Sequence, residues 1–316
     1  MKKTTIGILF GIASYVAWGT NGTFFATLLN IGISDMAVVA LAPTILWLFF
    51  GLKTLITDKS QFKLSWKGFL FVLFAGTIML NAQNITYVKA VATVPVAVIS
   101  ILMFSNVIIL SFLSKICFGY KYTTHKIIAI IASLFGVSLV LNLYSGVGFS
   151  SWGSGIWWAI VIPFVMAVNF TLIKYTLNEG VSMDAYLFYI NFFGALVIYA
   201  TSSSPVAMVT NVFNVISTNG ISALIIILGF ALIPCIISYW AVMKAYDYIE
   251  PTYISLCSAS DPVTASICGL IFLGQMLTIN QVVGIAVVIS AIIYINYMEG
   301  KEELAASQGE ASLGAD

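Results

Sequence analysis

Asp261 is the only carboxylate well inside an apolar stretch of this chain, about ten residues into the run 251–273. A charged Asp at that depth on a membrane helix costs about 2.5–3.5 kcal/mol, so the side chain needs a cavity or a partner. Three roles fit it: carrying a proton, balancing an amine, or anchoring a helix break beside Pro262. Uncharged polar groups reach similar depth in other apolar runs: Thr20 and Asn21, Asn81 and Asn84, Asn169, and Asn191. Asn81 and Asn84 are three apart, so they share a helix face. A single Asn in such a run is accounted for by an interhelical hydrogen bond worth about 0.6 kcal/mol. The set as a whole exceeds what a dry packed bundle needs. Trp18, Tyr87, Tyr189, Tyr239 and Trp240 either pack or form a stacking wall, where a cation gains about 0.5–2 kcal/mol per ring. Tyr239 and Trp240 are adjacent, so only one can readily turn toward a central cavity. The candidate binding residues are therefore Trp18, Asn21, Asn84, Asn169, Tyr239 and Asp261, with Asp261 the candidate for proton coupling.

Other chemistries lack their residues. His125 is the only histidine, and it lies between charged and polar neighbours rather than beside a nucleophile. Cys117, Cys235, Cys257 and Cys268 sit in apolar stretches without metal spacing and read as packing thiols. No P-loop, GxSxG or HExxH motif occurs, so neither an enzyme, a cofactor nor a metal site is expected. All 13 cations are Lys, there is no Arg, and the net charge is +1. Such a balance provides no phosphate-binding track, and nucleic acid is not an expected partner.

The elements that must hold these residues follow from composition. The 316 residues are 60% hydrophobic and 8% charged, against about 45–50% and 25% in soluble domains. A bilayer core takes about 20 apolar residues per helix. Ten apolar runs bounded by charge, Gly, Asn or Pro are candidate spans: 6–29, 34–56, 68–88, 93–115, 124–143, 154–176, 183–203, 220–244, 251–273 and 279–297. The first could pass for a signal peptide, but it continues through Trp18 to Leu29 without a small-residue cleavage site, and reads as a span. With the N-terminus in the cytoplasm, twelve lysines fall inside and only Lys89 outside, a strong positive-inside signal. Both termini are then cytoplasmic. Pro43, Pro163, Pro234 and Pro262 interrupt four spans, as kinks or as sources of free carbonyls.

An internal repeat organises the ten. At a shift of 155 residues, 89–123 lies over 244–278 with nine of 35 pairs identical, among them Lys89/Lys244, Ser100/Ser255, Ser105/Ser260, Gly119/Gly274 and Thr123/Thr278. Asp261 then falls on Asn106. Gly32-Ile33-Ser34-Asp35 resembles Gly180-Val181-Ser182-Met183-Asp184 at a shift of 148 to 149. Each copy spans five helices, and five is odd, so the second enters from the opposite side. The expected fold is an all-α membrane protein: ten transmembrane helices as two inverted five-helix repeats. Residues 1–148 form the first repeat, 149–298 the second, and 299–316 a polar, disordered tail. Inverted repeats are typical of secondary transporters, whose halves rock about a site near the midplane.

Ala17-Trp18-Gly19-Thr20-Asn21, Ala245-Tyr246-Asp247-Tyr248-Ile249, Ser258-Ala259-Ser260-Asp261-Pro262-Val263 and Gly274-Gln275-Met276-Leu277-Thr278 carry a resemblance. The chain resembles the drug/metabolite transporter superfamily, in its ten-helix EamA-type branch, over nearly its whole length apart from the tail. It departs from the pattern in having Asp-Pro-Val for Glu-Pro-Val, Gln275 for a Glu, and no Arg in helix 2. The resemblance implies transport of a small solute, since members carry amino acids, other metabolites, amines and drugs.

Residues and resemblance together point to a secondary transporter moving a small organic solute across the inner membrane by alternating access. An amino acid or related metabolite, exported or exchanged, fits best, with proton coupling through Asp261 open. Without Arg or a mid-depth Lys, phosphates and dicarboxylates lack a counter-charge. An amine or drug transporter of the same fold, and a non-transporting membrane sensor, are the alternatives. The expected partners are the solute and the bilayer; oligomeric state and direction are not legible.

Overall fold

Long apolar runs leave the backbone no water to bond, so the chain closes its hydrogen bonds within helices. The computed structural model describes residues 3–106, 109, 112–113, 116–117, 124–140, 152–249 and 257–313, and no strand occurs among them. The first half contains α1 (Lys3–Gly19), α2 (Asn21–Asn30), α3 (Asp35–Thr57), α4 (Trp66–Phe74), α5 (Asn81–Val91), α6 (Val96–Phe104) and α7 (Thr124–Val140). The second contains α8 (Gly155–Asn178), α9 (Met183–Thr201), α10 (Pro205–Asn219), α11 (Ile221–Phe230), α12 (Ser238–Tyr246), α13 (Ser260–Leu273) and α14 (Ile279–Leu313). A short 3-10 turn, Lys59–Phe62, links α3 to α4.

Five helical stretches are long and apolar enough to cross a bilayer: Asp35–Thr57, Trp66–Val91, Gly155–Asn178, Met183–Thr201 and Ile221–Ala245. Ile127–Val140, Ser260–Leu273 and Ile279–Ala291 are shorter apolar stretches. Expected spans 1, 4 and 9 are broken rather than continuous. The first breaks at Thr20, whose hydroxyl donates to the Ala17 carbonyl at 2.7 Å. The fourth breaks at Ser105, whose hydroxyl turns back onto Leu102 O at 2.6 Å. In the ninth, a turn at Ser258 and Ala259 precedes α13. The end of expected span 4 at Lys115 and much of the loop after it, including Gly119, Tyr120, Lys121, Tyr122 and Thr123, lie outside the described residues.

Two π-helical segments interrupt long helices: Ala75–Leu80 between α4 and α5, and Ala231–Ile237 between α11 and α12. They occupy corresponding places in the two halves. In each, the residue that resumes the α-helix bonds back to the widened turn. Asn81 Nδ2 donates to Gly76 O at 3.3 Å and Thr77 O at 3.0 Å. The Ser238 hydroxyl donates to Pro234 O at 2.5 Å. Such widened turns are common near functional sites.

Packing between the halves is reciprocal. The α1 helix packs on α12 and on α13, while α8 packs on α5 and on α6; α3 lies against α9, α6 against α13, and α7 against α14. Helix α9 meets the first π segment and α3 meets the second. Close approach at α7–α14 depends on glycine. A Cβ on Gly284 would stand 2.6 Å from Gly136 O, and one on Gly136 2.8 Å from Gly284 O. Small residues at such contacts let membrane helices associate without an aqueous driving force.

Two segments differ from the sequence expectation. Residues 205–219, between expected spans 7 and 8, form α10, with Ser204 accepting the Ala207 N–H at 3.1 Å and Pro205 at the first position. The Ser-Pro start and the spacing of Met208, Val212, Val215 and Ile216 were the available signals. The final helix runs to Leu313, through the segment expected to be disordered. Glu302, Glu303, Leu304, Ala305 and Ala306 are all strong helix formers, and that local preference outweighs low hydrophobicity. Its start is a reciprocal cap: Gln281 Oε1 accepts Thr278 N–H at 2.9 Å, and Gln281 N–H donates to Thr278 Oγ1 at 3.3 Å.

Candidate functional site

Asp261 stands in the first turn of α13, directly after the Ser258–Ala259 turn, with its N–H on Ser258 O at 3.1 Å. The positive end of a helix favours a carboxylate there. Pro262 follows in the same turn, where a missing N–H costs no helical bond. The carboxylate does not cap its own helix. Its Oδ1 accepts the Ser100 hydroxyl of α6 at 2.6 Å, across the two halves. Gly19 brings α1 onto the same point, since a Cβ there would lie 2.6 Å from the Asp261 carbonyl oxygen. Tyr87 stands on α5, which packs against α2 and α6. A Cβ on Gly22 would stand 2.6 Å from the Tyr87 hydroxyl, and the Tyr87 ring meets Phe25 at 5.3 Å. The repeat mate Asn106 is buried and turns Nδ2 toward Met166 Sδ at 3.9 Å.

A second group lies beside the first, through Trp18 next to Gly19. Trp18 meets Tyr239 edge-on at 5.2 Å and Tyr15 at 5.3 Å, and Tyr239 meets Phe50 at 5.9 Å. The Tyr186 hydroxyl donates to Asn169 Oδ1 at 3.2 Å, and Asn169 Nδ2 donates to Gln83 Oε1 at 3.4 Å. Trp18 and Tyr239 thus join α1 to α12, and Tyr186, Asn169 and Gln83 join α9, α8 and α5.

Trp18, Asn21, Asn84, Asn169, Tyr239 and Asp261 are all half-buried, neither sealed in the core nor on the outer surface. The structure joins Trp18 with Tyr239, and Asn169 with Tyr186; Asn21 and Asn84 have no side-chain bond to either group among the described residues. Asn81 and Asn191 instead satisfy their own helices, Asn191 through Leu187 O at 2.7 Å. Trp240 is 47% exposed and faces outward. Tyr189 donates to Phe62 O at 2.8 Å, away from Asp261. Gln83, Tyr186 and Ser100 were missed from sequence. Gln83 adjoins Asn84 and was the one legible signal, whereas Ser100 and Tyr186 look like ordinary helix residues. His125 pairs with Tyr294 at 2.8 Å between α7 and α14.

A cavity of about 320 Å³ opens at one end of α2, α5 and α13, lined by Asn30, Asp35, Val91, Leu273 and Gln275 among others. Gln275 Oε1 accepts the Val96 N–H at 3.0 Å, holding the start of α6 at its edge. Val96 and the Tyr87 hydroxyl both crowd Gly22.

The EamA-like transporter family model matches residues 5–142 and again 153–297. The chain belongs to the EamA-like transporter family. Its two matches are the two halves whose packing is reciprocal, and the protein is a multi-pass membrane protein of a family that transports small solutes. A chloroplastic WAT1-related protein of Arabidopsis thaliana is 27% identical over 161 residues, 50% of this chain and 37% of that protein, so the match spans little more than a third of the relative. A solved crystal structure at 14% identity superposes with a TM-score of 0.59, covering 92% of this chain and 97% of that one. At that identity the likeness is one of fold.

Proposed function

We propose that this EamA-family member is a secondary transporter of a small zwitterionic solute, an amino acid or related metabolite, acting by alternating access. The observation that carries the reading is Asp261, a carboxylate held at a helix start and bonded across the halves to Ser100, beside the Trp18–Tyr239 pair. An ammonium would meet Asp261 and the rings; the amides of Asn169 and Gln83 would meet the solute's polar end. The cluster around Asp261 joins elements of both halves, so rocking of the halves would open it to one side at a time. Ten helices in two inverted repeats, an inner-membrane location and cytoplasmic termini complete the proposal. Supporting it are the 155-residue repeat and the excess of twelve lysines to one on the assigned inner side.

A cationic amine is the second reading, favoured by the Asp261 carboxylate and the rings of Trp18 and Tyr239. Uptake of a labelled panel of amino acids and organic amines into proteoliposomes, with and without a pH gradient, tests both. Accumulation of a zwitterion supports the first reading, and of amines alone the second. No transport in any condition would reject transport for the panel and favour a sensor.

A further inference from the structure

A second cavity, about 520 Å³, lies away from Asp261, where the 3-10 turn and the start of α4 fold against α9. Phe62, Leu64, Ser65, Trp66, Phe69 and Tyr189 line it. Its walls are mostly aromatic and continue along the helices. Phe69 and Tyr189 both contact Phe193, at 5.9 and 6.1 Å, one turn further along α9. Two bonds fix its frame: Tyr189 to Phe62 O, and Ser182 Oγ to Gln61 Oε1 at 2.7 Å. Trp66 is 72% exposed at its rim, the level at which indoles sit in a bilayer interface.

The rim is basic. Lys59, Lys63 and Lys67 flank the lining residues in sequence, all are exposed, and none forms an ion pair among the described residues. The neighbouring acids are engaged: Asp58 accepts Ser60 N–H at 2.9 Å, Glu179 accepts the Ser65 hydroxyl at 3.4 Å, and Asp184 pairs with Lys53 at 2.8 Å. Hydrogen bonds from the Ser60 side chain and from its backbone N–H hold the Asp58 carboxyl below the ordinary value. An aromatic trough formed by a segment that also carries three exposed lysines fits a ligand with an anionic head and an apolar tail.

We propose that this groove binds an anionic phospholipid, its phosphate at Lys63 and Lys67 and its acyl chain along Phe69, Tyr189 and Phe193. The site is independent of the transported solute. A free phosphate would satisfy the lysines but leave the aromatic wall uncovered, and a neutral lipid would leave the lysines without partners.

The test is native mass spectrometry of the full chain in neutral detergent, titrated with dioleoylphosphatidylglycerol, dioleoylphosphatidylcholine or inorganic phosphate. The phosphatidylglycerol should be retained about tenfold more tightly than the phosphatidylcholine, from several lysines near one headgroup. The triple variant Lys59→Gln, Lys63→Gln, Lys67→Gln should lose most of that preference while retaining phosphatidylcholine as before. Lys89→Gln, at a distant lysine held over Trp158, should leave it intact. Trp66→Ala should weaken both lipids alike. Equal retention of the two lipids by the unaltered protein, or an unchanged preference in the triple variant, would overturn the site. Displacement of phosphatidylglycerol by an equal concentration of inorganic phosphate would assign the lysines to a free anion and overturn it equally.

Discussion

Asp261 and Gly19 do their work at a single contact between α1 and α13. Asp261→Asn keeps the shape and a hydrogen bond to Ser100 but removes the charge. If Asp261 carries a proton, the variant should bind a zwitterion normally and lose accumulation driven by a pH gradient in proteoliposomes. If it pairs with an amine, affinity should fall by about 1.5–3 kcal/mol, the worth of a charge-assisted bond. Wild-type rate, affinity and pH dependence in that variant would leave Asp261 a structural group only. Gly19→Ala places a methyl carbon 2.6 Å from the Asp261 carbonyl oxygen, so α1 must retreat. The expected cost is about 1–3 kcal/mol from overpacking, read as a lower midpoint of thermal unfolding in detergent. Asp261 was legible because a lone acid in an apolar run is costly and conspicuous. Its partner Ser100 was not, because a hydroxyl can bond its own helix as easily as a neighbour.

The connecting elements repeat one arrangement. Gln61, between α3 and α4, accepts Ser182 Oγ at the start of α9. Asn211, in α10 between α9 and α11, accepts Ser34 N–H at 2.8 Å at the start of α3 and donates to Gly32 O at 3.2 Å. Each linker clasps the helix start of the opposite half. Asn211→Ala removes both bonds on one side, in a partly exposed place where the net loss is about 1 kcal/mol. Hydrogen exchange at Gly32–Ser34 should speed up roughly fivefold, with α7 and α14 unchanged; unaltered exchange would show that the clasp adds no stability. The same scale explains the π segments. A helix period can be read from apolar spacing, but a widened turn follows from which carbonyls Asn81 and Ser238 capture.

For the whole molecule, reciprocal packing of α1–α12 with α8–α5, and of α1–α13 with α8–α6, is the pattern expected of a two-fold relation between the halves. An inverted arrangement requires the two halves to enter from opposite sides. With the native cysteines removed, Ser60→Cys should react with a membrane-impermeant thiol reagent only from the cytoplasmic side, and Lys89→Cys and Gly148→Cys only from the opposite side. Labelling of Gly148→Cys from the cytoplasm would replace the inverted arrangement with a parallel one.

By itself the sequence determined that this chain lives in a bilayer, which stretches are apolar, and that its halves repeat, because burial in lipid demands composition and a duplicated half leaves matching polar residues. It also singled out Asp261, Trp18, Asn169 and Tyr239 by residue type and depth. Only the tertiary structure decided which of these meet. Rotation of a helix by one residue turns a side chain by about 100°, and the packing partners that set that rotation are distant in sequence. Thus Tyr239 meets Trp18 while Trp240 faces outward, Tyr189 holds the 3-10 turn, and Ser100 reaches Asp261 across 161 positions of chain.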